Sequence, residues 1–189
     1  TGVIGQPLDI EPIKNGMEEL KTSLGNNSQD AAEGIMTTDT VLKEIAVSFN
    51  IGGKECKIGG IAKGSGMIHP NMATMLVFIT TDCAISPEML QKALSTDIKN
   101  TFNMVSVDGD TSTNDMVTVL ANGMAENAEI CEGTDDYKAF FEGLYYVLEE
   151  LSKKIAGDGE GATCLFEVKA INAKTKEQAK ILSKSVVTS

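Results

Sequence analysis

The sequence contains a single histidine, His69. A Ser-His-Asp triad or a histidine-based zinc site would depend entirely on that one residue, and no other pattern supports either. The four cysteines share no CxxC spacing and lie in mixed apolar surroundings. This distribution argues against a cysteine metal site and is typical of reduced core cysteines in a cytosolic protein. The sequence therefore predicts no metal.

Long apolar runs and an excess of positive charge are also absent. No run approaches the ~20 apolar residues of a membrane span, and no basic-then-apolar signal segment opens the chain. We therefore expect no membrane association and a cytoplasmic location. The net charge of -11 argues against nucleic acid as a partner, because nucleic-acid binding needs a basic surface. The charge suits an enzyme whose substrates carry amines, although solubility alone explains it equally well.

The remaining composition is that of one globular domain, with 189 residues of which 42% are hydrophobic. Apolar spacing predicts helices and strands that alternate irregularly, which indicates a layered α/β or α+β protein. Helices are predicted over 11–24, 28–34, 86–102 and 134–155 and after a capping box at Thr175, and strands over 43–50, 54–61, 75–79, 116–121 and 162–173. Both ends of the chain resemble cut points, so we expect a piece of a longer protein.

Residues 63–82 are the most informative stretch, because they place Ala73-Thr74 between a Gly- and Pro-containing loop and an apolar strand. A threonine hydroxyl is a poor nucleophile unless a base lies beside it. Cleavage before Thr74 would supply that base as a new α-amine, which titrates near ~8 and so close to the working pH. From these residues alone, Thr74 is either such a nucleophile or the first residue of an ordinary strand. His69 precedes it as either an acid/base group or a loop-shaping residue.

Further segments are rich in Gly, Thr and Asp where a fold would not require it: 1–5, 37–40, 63–66, 106–115 and 157–163. Thr1 and Gly2 could offer backbone N–H groups to an oxyanion, but composition favours a tight turn. The stretch 106–115 does not fit an EF-hand calcium loop, and a turn network of Asp and Thr side chains is favoured. The stretch 157–163 carries two carboxylates, so it would repel phosphate but could hold a substrate ammonium.

These segments in this order resemble the bifunctional ornithine acetyltransferase/N-acetylglutamate synthase family, the ArgJ family. The resemblance spans the whole chain, and the run from 63 to 76 carries most of it. It implies stacked sheets flanked by helices, similar to the L-aminopeptidase D-esterase fold. It also implies self-cleavage at Ala73-Thr74, giving an α chain that ends with 1–73 and a β chain that begins with 74–189.

The resemblance further implies acetyl transfer from N-acetyl-L-ornithine to L-glutamate through an acetyl-threonine on Thr74, with acetyl-CoA as an additional donor in bifunctional members. No cofactor is implied, and the assembly would contain two α and two β chains. Oxyanion donors would be Thr1 and Gly2; substrate-binding positions would be Thr37, Lys63, Thr74 and Glu160. Family chains are about twice as long, so we expect this piece alone to be weak or inactive.

Two other interpretations remain open. One is a hydrolase or aminopeptidase of the same fold that uses water as acceptor, although that family has serine at the cleavage point. The other is a non-catalytic metabolite-binding domain, or an unprocessed precursor, in which Thr74 is an ordinary strand residue.

Overall fold

The computed structural model describes residues 5–66, 68, 75–109, 112 and 114–188. Its helices and strands follow in the order α1 Glu11–Thr22, α2 Ser28–Gly34, β1 Lys43–Ile51, β2 Lys54–Lys63, β3 Leu76–Thr81, α3 Pro87–Asp97, β4 Met116–Ala121, α4 Asp135–Gly157 and α5 Lys176–Val187. Two short 3-10 turns, Ile98–Asn100 and Phe102–Met104, follow α3. The α+β class is confirmed.

The four strands form one sheet in chain order, with β1, β2 and β3 antiparallel and β3 parallel to β4. Gly52 and Gly53 make the turn between β1 and β2, and both have the positive φ angles that a two-residue hairpin turn requires. The start of β1, the end of β2 and the starts of β3 and β4 lie along one edge, because Lys63 is opposite Leu76 and Leu76 is opposite Met116. These four strand ends form the 63/76 edge.

One face of the sheet is covered by α4. Thr134 caps this helix by accepting a hydrogen bond from the Tyr137 N–H, and the apolar stripe of α4 is fully buried against β1 and β2. Gly60 lets the helix approach closely: a Cβ on this residue would lie 3.0 Å from Leu151 Cδ1 and 3.1 Å from Ile79 Cγ1. The core is therefore a single helix-on-sheet layer.

Capping signals correctly located two further helices. The Ser86 hydroxyl accepts a hydrogen bond from the Met89 N–H at the start of α3, and the Thr175 hydroxyl accepts one from the Gln178 N–H at the start of α5. The hairpin and the strands β3 and β4 also lie where the periodicity predicted, with ends shifted by one or two residues. Among the described residues, no helix combines the length and apolar character needed to span a bilayer.

The predicted strand 162–173 is wrong. These residues form neither strand nor helix and are mostly exposed, with Phe166 64% accessible. Their alternating pattern is typical of a strand, but a strand needs a neighbour to accept its backbone hydrogen bonds. None of the described strands pairs with this segment. The last helix follows it and buries no residue.

Candidate functional site

Two of the residues predicted to bind substrate touch each other at the 63/76 edge. Lys63 is the last residue of β2 and is only 7% exposed. Its Nζ donates a hydrogen bond of 3.1 Å to the Thr37 hydroxyl, in the segment that follows α2. A mostly buried ammonium therefore lies beside an exposed hydroxyl, which is a suitable pair for a substrate carboxylate.

Glu160 lies against the residues that follow Lys63. Its backbone N–H donates to the Ser65 carbonyl at 2.7 Å. A Cβ on Gly66 would lie 2.8 Å from the Glu160 carboxylate, so the absence of a side chain at position 66 makes room for it. Glu160 is exposed, and its charge is available to a ligand. The structure thus places Lys63 in contact with Thr37, and Glu160 in contact with Ser65 and Gly66, which follow Lys63 in the chain.

A buried ion network holds these segments in place. Lys43 has a fully buried side chain, and its Nζ lies 2.6 Å from Asp39 Oδ1 and 2.5 Å from Asp158 Oδ2. Asp39 also accepts hydrogen bonds from the backbone N–H groups of Gly64 and Thr37. One lysine therefore links the segment of Thr37, the end of β2 and the loop of Glu160.

The electrostatics of the network favour ionised carboxylates. Burial opposes ionisation of Asp39, but hydrogen bonds from Gly64 and Lys43 outweigh it and lower the pKa of the carboxyl. Burial likewise opposes ionisation of Asp158, yet Lys43 and the hydroxyl and N–H of Thr40 lower its pKa to about 2. Both carboxylates are thus charged at neutral pH and neutralise the buried Lys43 ammonium.

The loop 106–115 holds the backbone on both sides of the Ala73-Thr74 junction. Asp108 Oδ1 accepts a 3.0 Å hydrogen bond from the Ile68 N–H, and Asp115 Oδ1 accepts a 2.8 Å bond from the Met75 N–H. The Val107 N–H donates to the Ile68 carbonyl at 2.6 Å. The prediction for this loop is a turn network of Asp and Thr side chains: Asp108 and Asp115 bond to backbone outside the loop, and Thr111 and Thr113 lie outside the described residues.

Asp115 has an unsatisfied atom. Its Oδ2 is buried and accepts no hydrogen bond from the part of the chain that the structure describes. Burial raises the pKa of Asp115 to about 6, although the Met75 N–H and the charge of Lys63 act in the opposite direction. A carboxyl with a raised pKa therefore contacts the residue after Thr74 and is influenced by the charge of Lys63.

The remaining sequence-predicted site residues are Thr1, Gly2, Ala73 and Thr74, and they lie outside the described residues. So does His69. Among the described residues, the loop of Glu160 packs against the loop of Asp108, because a Cβ on Gly159 would lie 2.8 Å from Val107 Cγ1.

Sequence reasoning missed Lys43 as a site residue, although a signal was present. Lys43 has the same parity as Ile45, Val47 and Phe49 in β1, so a strand with these residues inside also directs the lysine inside. A buried lysine requires an acidic partner. The two acidic segments singled out from composition, those of Asp39 and Asp158, supply it.

The expectation of four core cysteines is only half correct. Cys56 and Cys83 are buried, whereas Cys131 and Cys164 are exposed. Cys56, Cys83 and Asp82 place their sulfur and oxygen atoms within 4.8 Å of one another, and they are the only such group of potential metal ligands among the described residues. They lie at the opposite end of β2 and β3 from Lys63.

A cavity of about 380 Å³ lies elsewhere, between α4, α5 and the segment 165–169. Of the predicted substrate-binding residues that the structure describes, namely Thr37, Lys63 and Glu160, none lines it.

Fold and site together define an α+β protein with a cluster of charged residues at one sheet edge. The sequence profile of the ArgJ family matches residues 1–189, and the chain belongs to this family. It is 52% identical over 190 residues to the arginine biosynthesis bifunctional protein ArgJ of Caldanaerobacter subterraneus subsp. tengcongensis, covering 100% of this chain and 47% of that protein. The ArgJ protein of Listeria monocytogenes serotype 4b is 52% identical over 189 residues, with the same coverage.

A solved structure supports the same assignment. The crystal structure of the arginine biosynthesis bifunctional protein argJ from Bacillus halodurans is 46% identical and superposes with a TM-score of 0.58, covering 59% of this chain and 53% of that one. The chain spans about half the length of the relatives it matches.

Proposed function

We propose that the protein carrying this chain is an acetyltransferase of arginine biosynthesis that moves an acetyl group from N-acetyl-L-ornithine to L-glutamate. Family membership and relatives named for arginine biosynthesis support this proposal. The observation that carries it is the convergence of Lys63, Thr37 and Glu160 at the 63/76 edge. Met75, the neighbour of Thr74, directly precedes β3 at the same edge.

These side chains match the charges of the proposed substrates. N-acetylornithine carries one carboxylate and one free ammonium, and glutamate carries an ammonium and carboxylates. Lys63 with Thr37 suits a carboxylate, and Glu160 suits an ammonium. Ion pairs of this kind orient a small substrate relative to a nucleophile, which is a major source of rate acceleration.

In the proposed reaction Thr74 is the nucleophile. Its Oγ attacks the acetyl carbonyl, its α-amine takes the hydroxyl proton, and the amide C–N bond breaks with return of the proton to the departing ornithine nitrogen. Glutamate then attacks the acetyl-threonine through its own amine and leaves as N-acetylglutamate. Thr1 and Gly2 are the proposed donors to each oxyanion, where loss of one donor costs about 3 kcal/mol.

Asp115 is a proposed positioning residue in this scheme. Its hydrogen bond to the Met75 N–H fixes the backbone directly after Thr74. Together with Asp108, which accepts from the Ile68 N–H, it gives the segment of the junction two fixed ends. Such anchoring suits a self-cleavage at Ala73-Thr74, because that reaction requires a defined backbone geometry.

The proposal includes the consequences of that cleavage. Residues 1–73 belong to an α chain and 74–189 to a β chain, and two copies of each form the assembly in the cytoplasm. Acetyl-CoA is a second donor if the protein is bifunctional. No metal or organic cofactor takes part.

Mass spectrometry of the full-length protein tests the nucleophile. After mixing with N-acetyl-L-ornithine, we expect a peptide that begins at Thr74 and carries one added acetyl group. An uncleaved chain with no acetylated threonine would contradict the proposal. Release of free acetate at the full turnover rate without glutamate would instead indicate a hydrolase.

Steady-state kinetics test the recognition site. Lys63→Met and Glu160→Gln should each raise KM for N-acetylornithine about 10- to 100-fold, because each removes a hydrogen bond to a charged group. Glu142→Gln is the matched control, since Glu142 is exposed on α4 away from this edge. Unchanged KM in both site variants would exclude the proposed binding roles.

A further inference from the structure

Cys56 and Cys83 lie opposite each other on neighbouring strands. Ile58 of β2 is opposite Thr81 of β3, and the Asp82 N–H donates to the Lys57 carbonyl at 3.3 Å, so the antiparallel register continues past the end of β3. Two residues beyond the Ile58–Thr81 pair, the same register places Cys56 opposite Cys83. The Lys57–Asp82 pair is the hydrogen-bonded one, so the cysteines occupy a non-hydrogen-bonded position.

That position has the geometry a disulfide needs. Opposed residues at non-hydrogen-bonded positions have Cα atoms about 4.5 Å apart, which falls within the ~4.4–6.8 Å range of disulfides. The Sγ atoms already lie within 4.8 Å of each other. We expect side-chain rotation to close the remaining gap between the two sulfur atoms.

We propose that Cys56 and Cys83 form a cross-strand dithiol that a hydroperoxide oxidises to a disulfide. One thiolate attacks the peroxide, breaking the O–O bond to give a sulfenic acid and hydroxide. The second thiol then attacks the sulfenic sulfur, forming the S–S bond and expelling water. The two thiols lose two electrons and two protons, and hydrogen peroxide is reduced to two waters.

The surroundings make this reaction slow at neutral pH. Both side chains are fully buried, and burial raises the pKa of the Cys83 thiol to about 12. Burial also raises the pKa of Cys56, and the carboxylates of Asp82 and of Asp136 on α4 act in the same direction. Because the thiolate is the reactive form, oxidation should accelerate as the pH rises. The exposed Cys131 and Cys164 should react first.

The pair spans the Ala73-Thr74 junction. Cys56 belongs to β2, before the junction, and Cys83 follows β3, after it. If the chain is cleaved there, as the proposed function requires, the disulfide joins the α chain to the β chain covalently. Oxidation would then convert a noncovalent pair of chains into one linked unit.

The test uses the full-length protein with Cys131→Ser and Cys164→Ser, and with any cysteine outside residues 1–189 also replaced by serine, so that Cys56 and Cys83 are the thiols that remain. Native protein is incubated with hydrogen peroxide at pH 7 and pH 8.5, quenched with an alkylating reagent in denaturant, and analysed by peptide mapping. We expect a peptide linking Cys56 to Cys83, faster formation at the higher pH, and loss of both alkylation sites. Adding Cys83→Ala, which keeps a small apolar side chain, should leave Cys56 alkylated and abolish the link.

Non-reducing electrophoresis separates this inference from the proposed cleavage. Two bands under reducing conditions and one linked band without reductant support both. A linked peptide with a single band under both conditions supports the dithiol and contradicts cleavage. Two bands under both conditions, both thiols still alkylated, or cysteine sulfinic acids in place of the link would overturn the dithiol. A link that forms only in denatured protein would overturn it equally.

Discussion

Two buried aspartates of this protein have pKa values that are shifted in opposite directions. Asp158 is paired with Lys43 and Thr40 at the 63/76 edge, and its pKa falls to about 2. Asp97 ends α3 with no exposed surface, and neither carboxylate oxygen accepts a hydrogen bond from the described residues. Burial raises the pKa of Asp97 to about 7, and the more distant charge of Lys176 offsets this only in part. Burial opposes ionisation at both sites, so the presence of partners decides the direction.

The largest effect should come from removing the shared cation. Lys43→Met leaves Asp39 and Asp158 buried without their counter-charge, and such a loss costs about 3–5 kcal/mol of unfolding free energy. Urea denaturation at pH 7 measures it. Lys21→Met on the exposed surface of α1 is the control and should change stability by less than ~0.5 kcal/mol. A loss below ~1 kcal/mol for Lys43→Met would show that water already solvates the network.

Substitution of Asp97 should give the next largest change in unfolding free energy. Its pH dependence should be opposite to that of Asp158, because the pKa of Asp97 is raised and that of Asp158 is lowered. Its folded pKa is raised, so ionisation penalises the folded state increasingly as pH rises from about 4 to about 7. Asp97→Asn cannot ionise and should be more stable than the parent by ~2 kcal/mol at pH 8, with the advantage vanishing near pH 3.5.

The titratable groups near Asp97 should not contribute to this pH dependence below pH 8. Tyr137 and Tyr145 of α4 both have pKa values raised mainly by burial, with Asp97 contributing to each, so neither ionises below pH 8. Lys176 is the cation that acts on Asp97. Thermal unfolding at several pH values measures the difference, and a constant offset between parent and variant across this range would contradict it.

A smaller loss of unfolding free energy is expected when the hydrogen bond between the Thr40 hydroxyl and Asp158 is removed. The Thr40 hydroxyl donates to Asp158 Oδ1, while its N–H donates to Oδ2. Thr40→Val keeps the shape and the N–H but loses the hydroxyl, so it should cost about 1 kcal/mol. Chemical denaturation would detect this loss. The Thr38 hydroxyl bonds to Ser65 and not to Asp158. Thr38→Val is therefore the control that shows whether loss of any hydroxyl in this segment lowers stability equally.

The smallest effect completes the series. Glu11 and Lys14 form a 2.7 Å ion pair on α1, with both side chains about 60% exposed. Because water screens such pairs, Glu11→Gln should change the unfolding free energy by less than ~0.5 kcal/mol. A larger loss, measured in the same denaturation experiment, would mean that α1 contributes to the fold in a way its exposure does not suggest.

Sequence patterns predicted most elements because local signals and burial agree there. The stripe of α4 repeats every three to four residues, and Thr134 caps it. The prediction of a strand over 162–173 failed because alternating apolar and polar residues indicate a tendency to form a strand, but not whether a partner strand is present. The exposure of Cys131 and Cys164 was missed for a related reason, since apolar neighbours in sequence do not ensure burial in space.

The site required more than local pattern. Thr37, Lys63 and Glu160 were identified through the family resemblance, and the structure brings them together. The Lys43–Asp158 pair joins residues 115 positions apart, a separation over which periodicity carries no information. The raised pKa values of Asp97 and Asp115 depend on burial and on unfilled hydrogen-bonding positions, which only three-dimensional packing defines.

Gly60 affects the packing of the helix that leads to Asp158, because it has no side chain. It sets how closely α4 rests on the sheet at Leu151, and Asp158 follows the end of that helix about 10 Å further along its axis. A Cβ at position 60 would crowd Leu151, Ile79 and Val147, so these side chains would have to shift by a few tenths of an ångström. The packing of the helix that leads to Asp158 therefore depends on a missing side chain in the apolar core.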